Sequence, residues 1–249
     1  MQQRCLEACR RPVVVGIDEA GRGPIVGPMV MAAVALPVDE LRGLRLQGIR
    51  DSKQLTPRQR EQLLSLIEEH APLLIWVLHP PQLIDSVNLN KLEYDTASYM
   101  IERVLMKCCE VRAIYADAVG PPERYAAVLK RVAPRIRVVV APKADSRYTA
   151  VAAASIVAKV IRDAYIEKYR KTYGLRGSGY PTDEETLQWI RELYAKSPAQ
   201  PPPIVRRTWG TLKRIAPAWY REKNTIRQGR VQGRTLLDYL STGHPSRQQ

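Results

Sequence analysis

Three short stretches of this chain share one pattern, a run of β-branched apolar residues that closes on an acid. They are Val13-Val14-Val15-Gly16-Ile17-Asp18-Glu19, Ala113-Ile114-Tyr115-Ala116-Asp117 and Val138-Val139-Val140-Ala141-Pro142-Lys143-Ala144-Asp145. Runs this short, and this rich in Val and Ile, read as strands buried on both faces. Two more strands are expected at residues 29–36 and 73–78, with helical patterns at 56–69, 89–107, 121–131, 146–169 and 187–194. Thr56-Pro57 supplies an N-cap and a proline at the first helical position. Thr182, with Glu185 three residues on, reads as a capping box. Strands alternating with helices imply an α/β domain around a partly parallel sheet, which should end near Ala141. Breaks are expected at Ser197-Pro198 and Pro201-Pro202-Pro203, and beyond Arg221 a polar, basic, loosely held tail.

If the three acid-tipped strands run parallel, Asp18, Glu19, Asp117 and Asp145 all arrive at the carboxyl edge, where ligands bind in open α/β sheets. Carboxylates gathered there repel one another unless cations lie between them. Oxygen donors without His or Cys nearby favour Mg²⁺ or Mn²⁺ over zinc. Two such ions roughly 3.5–4 Å apart can activate a water and stabilise the leaving oxygen of a phosphodiester. Taken singly, Asp117 or Asp145 is as readily a helix cap or turn former. Asp18-Glu19 differs because Gly21-Arg22-Gly23-Pro24 follows at once, and glycines around an arginine let a backbone approach a ligand closely. Neighbouring strand residues point to opposite faces, so Asp18 and Glu19 serve together only where the strand ends or twists.

The charge balance bears on the partner. Lys and Arg outnumber Asp and Glu by 39 to 25, an excess that suits a polyanion because neutralised phosphates release counterions. The basic clusters Arg206-Arg207, Lys213-Arg214 and 221–223 are either a solvated face or a duplex-binding surface, and the second is the expectation. No apolar stretch reaches the ~20 residues that span a bilayer, and the N-terminus lacks a signal-peptide core, so a cytoplasmic protein is expected. The cysteines (Cys5, Cys9, Cys108, Cys109) and the histidines (His70, His79, His244) show no zinc spacing. Buried thiols are the default, and a Cys5–Cys9 disulfide is the alternative, of a kind tolerated in hyperthermophiles. The 19 prolines lean the same way.

The stretch Gly16-Ile17-Asp18-Glu19-Ala20-Gly21-Arg22-Gly23-Pro24 resembles the opening signature of the ribonuclease HII family (type 2 ribonuclease H). Asp51-Ser52-Lys53-Gln54-Leu55-Thr56 is similar to its second motif, and Tyr115-Ala116-Asp117 to its third. Lys143-Ala144-Asp145 with residues 152–163 is similar to its fourth. Gly177-Ser178-Gly179-Tyr180-Pro181-Thr182 resembles the archaeal and eukaryotic form. Five motifs in family order are far more specific than a lone glycine signature.

The resemblance implies a ribonuclease H-like mixed five-stranded sheet flanked by helices, with a C-terminal helical extension. It divides the chain into an N-terminal extension (1–12), a catalytic domain (13–170), a helical substrate-binding part (171–222) and a tail (223–249). It makes Asp18, Glu19, Asp117 and Asp145 the catalytic, metal-binding carboxylates for two Mg²⁺ or Mn²⁺ ions. Gly21, Arg22 and Gly23 become the loop that senses 2′-hydroxyls, and Tyr180 the ring packed on a sugar at an RNA–DNA junction. Lys53, Lys143 and Ser155 become phosphate contacts, while Asp163 reads as a structural helix residue. The implied activity is endonucleolytic cleavage of the RNA strand of RNA–DNA hybrids, including 5′ of single ribonucleotides in duplex DNA, by a monomer. Ribonuclease HIII would carry an extra N-terminal domain, and a non-catalytic hybrid-binding protein would lack one of the four acids. In the tail, Gly233-Arg234-Thr235-Leu236-Leu237-Asp238-Tyr239-Leu240 resembles the box that docks repair proteins on a DNA sliding clamp. Leu236, Tyr239 and Leu240 would share one face of a helical turn. Gly233 replaces the usual glutamine and Leu240 an aromatic; the alternative is a turn packed on the enzyme's own surface.

Overall fold

The computed structural model describes residues 7–50 and 55–223. In chain order its strands are β1 (Val13–Ala20), β2 (Met29–Pro37), β3 (Leu73–His79), β4 (Val111–Asp117) and β5 (Arg137–Ala141). Its helices are α1 (Leu41–Leu46), α2 (Pro57–His70), α3 (Pro81–Ser86), α4 (Leu89–Lys107), α5 (Pro122–Val132), α6 (Ala144–Arg147), α7 (Thr149–Tyr173), α8 (Glu184–Lys196) and α9 (Leu212–Ile215). The strands form one sheet in the order β3-β2-β1-β4-β5. β1 is antiparallel to β2 and parallel to β4, which is parallel to β5. The three strands that lead into acids therefore run the same way, in the mixed five-stranded sheet that the family resemblance implies.

Residue type explains the centre of this sheet. β2 has no polar side chain and is buried along its whole length, as a strand covered on both faces must be. In β1 the first six residues are buried. Gly16 lies against the first turn of α7, where an added Cβ would come within 2.0 Å of the Ala150 carbonyl carbon and oxygen. Backbone meets backbone there, so no rotamer change can make room.

Several local expectations shift. Thr56 does cap α2, reciprocally: its hydroxyl accepts the Gln59 N–H at 3.3 Å and its own N–H donates to Gln59 Oε1 at 2.8 Å. The second box does not form, because Asp183 takes the cap of α8 by accepting the Glu185 N–H at 3.1 Å. The helix read over 146–169 is two helices, broken at Tyr148, whose backbone is extended. Asp145 lies on α6 and not at the end of a strand, since β5 stops at Ala141 and Lys143 turns the chain at φ 54°.

The cysteines are neither buried thiols nor a Cys5–Cys9 pair. Cys9 is bonded to Cys108, and Cys109 is also disulfide-bonded. The Cys109 N–H donates to the Cys9 carbonyl at 3.2 Å and the Val13 N–H to Glu110 at 2.9 Å. These bonds hold the segment before β1 beside the α4–β4 junction. Closing a loop with a sequence separation of 99 stabilises by about 4.7 kcal/mol in the chain-entropy model.

Contacts divide the chain into two units. The first takes in residues up to Ala20, Val30–Trp76 and Leu89–Asp163; the second takes in Gly21–Met29, Val77–Asn88 and the chain from Ala164 on. The second has its own apolar core, including Ile25, Val26, Trp189, Ile190, Val205 and Trp219. Among the described residues no helix is long and apolar enough to cross a membrane.

The close approach at Gly16 gives a first prediction. Gly16→Ala should lower the melting temperature sharply and cut soluble yield, with an effect of at least the 1–3 kcal/mol typical of overpacking. A thermal melt within a degree or two of wild type would show that α7 can retreat from β1.

Candidate active site

The ladder between β1 and β4 ends at the pair Ile17–Ala116. The next residues in register, Asp18 and Asp117, come level at the carboxyl ends of the two strands. On its other edge β1 stays paired with β2 through Glu19–Met31 and Ala20–Val30. The strand thus releases one side and keeps the other.

Asp18 is buried. Its Oδ1 accepts the Glu19 N–H at 2.8 Å, and the Ser155 hydroxyl donates to its carboxylate. These bonds favour the charged form. Burial nevertheless pushes the carboxyl well above the usual range, and the charges of Glu19 and Asp117 add to the push. Asp117 Oδ1 accepts the Ala144 N–H at 2.7 Å, which ties the end of β4 to the turn that carries the fourth acid. That acid, Asp145, is buried on α6, which packs on β4, and its Oδ1 accepts the Ser146 N–H at 3.0 Å. Between them Lys143 holds a left-handed backbone, which costs a side-chain-bearing residue about 1–2 kcal/mol.

Ser155, expected to meet a phosphate, is thus buried and bonded to Asp18. Asp163 is structural, as expected, with ion pairs to Lys159 at 2.5 Å and Arg60 at 3.2 Å. No motif signalled Tyr125. It is buried on α5, and its hydroxyl is pushed well up by burial and then by the charges of Glu19, Asp18 and Asp117. Its ring stacks on Tyr94 at 4.9 Å, and the Tyr94 hydroxyl donates to the Val119 carbonyl at 3.0 Å. The one hint was a tyrosine on the apolar face of an amphipathic helix.

Among the described residues no three acidic, histidine or cysteine side chains converge closely enough to enclose an ion. The charge arrangement still suits a hard cation. Its donors are all oxygens, and a cation would relieve the repulsion that Glu19 and Asp117 impose on Asp18.

In the second unit, the loop Gly21-Arg22-Gly23 is held by its carbonyls. The buried Arg206 donates to Gly21 O at 2.5 Å, Arg22 O at 2.9 Å and Gly27 O at 2.8 Å. The Trp209 indole N–H donates to Gly23 O at 2.9 Å. The carbonyl of Gly179 accepts the N–H groups of Ile25 and Val26 at 2.8 and 3.1 Å. Tyr180 is 38% exposed, and its ring lies 3.6 Å from where a Cβ on Gly23 would stand. The loop and the tyrosine singled out in the sequence are therefore neighbours. Arg206, by contrast, is on neither a solvated nor a duplex-binding face. Lys53 and the tail residues Leu236, Tyr239 and Leu240 lie outside the described residues.

Residues 15–212 match the family model described as Ribonuclease HII. The ribonuclease HII of Hyperthermus butylicus is 51% identical over 241 residues, 96% of this chain and 98% of its own length. The chain belongs to the ribonuclease HII family. Members of this family are endonucleases that degrade the RNA of RNA–DNA hybrids, and the chain is accordingly a ribonuclease H enzyme. Among solved structures, ribonuclease H2 from Pyrococcus horikoshii OT3 is similar with a TM-score of 0.73 and 38% identity, over 87% of this chain and 99% of that one. The ribonuclease HII in a PCNA:RNase HII complex from Archaeoglobus fulgidus is similar with a TM-score of 0.70 and 34% identity, over 79% and 95%.

The burial of Asp18 sets a trade between stability and activity. A carboxyl whose folded-state pKa is raised binds its proton more tightly folded than unfolded, so stability falls as pH climbs from the unfolded value toward the folded one. In chelator at pH 8, Asp18→Asn should therefore melt several degrees above wild type, and the gap should shrink as the pH approaches 4. A mutant that melts below wild type at pH 8 would contradict the charge arrangement described.

Proposed function

We propose that this ribonuclease H cuts the RNA strand of hybrids and also cuts 5′ of single ribonucleotides embedded in duplex DNA, leaving 3′-hydroxyl and 5′-phosphate ends. The observation that carries the site assignment is Asp18, buried at the level of Asp117 and destabilised by the charges of Glu19 and Asp117. Asp18, Glu19, Asp117 and Asp145 would together hold two Mg²⁺ or Mn²⁺ ions. Bound there, the ions supply an activated water and neutralise charge on the phosphate.

The chain's own groups do the rest. Ser155 and the Glu19 N–H hold Asp18 in place, and the Ala144 N–H does the same for Asp117. Lys143, fixed in its left-handed turn, offers an ammonium to a substrate phosphate. The Gly21-Arg22-Gly23 loop reads the 2′-hydroxyl, the group that separates RNA from DNA. Tyr180, half-exposed beside Gly23, packs on the sugar of the following nucleotide.

The test is cleavage of a DNA duplex carrying one ribonucleotide, with Mg²⁺, with Mn²⁺ and with EDTA. Cutting should need an ion, and Asp117→Asn and Asp145→Asn should each slow it by about 100-fold or more while duplex affinity stays near wild type. Tyr180→Ala should cost about 1–3 kcal/mol on this substrate and less on a continuous hybrid. Wild-type rates in either Asn variant would end the two-metal reading, and equal losses on both substrates would end the junction role of Tyr180.

We also propose that the tail docks on a sliding clamp through Leu236, Tyr239 and Leu240. A relative 34% identical to this chain has been solved as a complex with PCNA, and the three residues have the i, i+3, i+4 spacing that fills one pocket. A labelled peptide of residues 230–249 should bind the host's clamp saturably, and Leu236→Ala with Tyr239→Ala should abolish binding. No saturation, or no effect of the double substitution, would refute the assignment.

A further inference from the structure

We infer that Arg206 and Trp209 are positioning residues for ribose recognition: they grip the carbonyl side of the Gly21–Gly23 loop and thereby aim its amide side at the substrate. The inference rests on the reading that this loop senses the 2′-hydroxyl.

The geometry follows from the peptide unit. In a planar trans peptide the carbonyl of one residue and the N–H of the next point in opposite directions. Arg206 holds the carbonyls of Gly21 and Arg22, so it fixes the directions of the Arg22 and Gly23 N–H groups, both facing away from the guanidinium. The Trp209 indole N–H holds the next carbonyl, that of Gly23, and the residue after it, Pro24, has no N–H to aim. Three successive carbonyls are thus gripped, and the two amides between them are set. A third Arg206 bond, to Gly27 O, ties the far end of the segment to the same fork.

A loop with glycines at both ends needs such a grip. Gly21 sits at φ 89°, where glycine is free to move among many conformations. Recognition of one hydroxyl needs a loop held to within a fraction of an ångström. Arginine suits the task because its planar fork bonds several acceptors at fixed angles, which a lysine ammonium cannot do. Its guanidinium carbon also lies 4.9 Å from the centre of the Trp209 ring, so the two residues brace each other. Arg206 is fully buried, and a buried cation persists only where hydrogen bonds compensate it. Neither residue need touch substrate for this role.

The test uses the full-length enzyme with Mg²⁺ and compares wild type, Arg206→Lys, Trp209→Phe and Gly21→Ala. Each protein is first shown folded by its thermal melt. Two quantities are read on one duplex sequence: kcat/KM when it carries a single ribonucleotide, and the ratio of the inhibition constant of its all-DNA version to that KM. The ratio reports ribose discrimination and is insensitive to a general loss of active protein.

Arg206→Lys should lower kcat/KM by about 10–100-fold, the usual range for partners that orient a site from outside it, and should draw the ratio toward one. Affinity for the all-DNA duplex should be unchanged. Trp209→Phe keeps the ring, loses one hydrogen bond and should show the same changes at smaller size; it carries the test should Arg206→Lys not fold. If Gly21→Ala collapses the ratio while the folded Arg206 and Trp209 variants keep it, the positioning role is overturned and the loop reading stands. If all three variants keep wild-type discrimination, the loop reading fails and the inference falls with it.

Discussion

Asp18 is withdrawn from water at a point where the charges of Glu19 and Asp117 both act on it, and much of the first unit answers to that condition. Burial and those two charges push its carboxyl well above the usual range and so disfavour the anion. The register of β1 on β4 creates the problem by bringing Asp18 level with Asp117. The compensation comes from Ser155 on α7 and the Glu19 N–H, which bond the anion directly. The helix can reach in because Gly16, two residues earlier on β1, has no side chain to keep it out. A strand register, a missing Cβ and a serine hydroxyl are parts of one electrostatic arrangement.

The acid-tipped strands were legible because their signals are local. β-branched runs announce strands, whereas the shared direction of these three is settled only by the pairing of β1 with β4 and of β4 with β5. α4 likewise begins and ends where its apolar spacing does, at Leu89 and Lys107. Asp145 was misplaced because the turn before it is made by Lys143 in a left-handed conformation, a task usually marked by Gly or Asn. The cap of α8 went to Asp183 over Thr182 because both residue types cap well and only the fold chooses between them.

What the sequence hid most completely depends on distance along the chain. Arg206-Arg207 looks like any basic surface pair, yet the carbonyls that bury Arg206 belong to residues 179 to 185 positions earlier. Tyr125 is similar: nothing near it in sequence tells of the acids at the ends of β1 and β4 that raise its hydroxyl. The residues proposed to bear the chemistry stood out in motifs, whereas the positions of Arg206 and Tyr125 did not. Supporting residues are chosen by the geometry of remote backbone, and a window of sequence contains no record of that geometry.

The Cys9–Cys108 bond also has a topological meaning. It makes the segment from Cys9 to Cys108 a covalent ring that threads in order through β1, β2, β3 and α4 before returning to its start. A single backbone break anywhere inside that ring opens it without releasing a fragment. The severed ends stay tethered through sulfur, at an effective concentration that favours re-pairing of the strands. A nicked molecule of this enzyme keeps its mass and the means to reassemble its sheet for as long as the bridge stays oxidised.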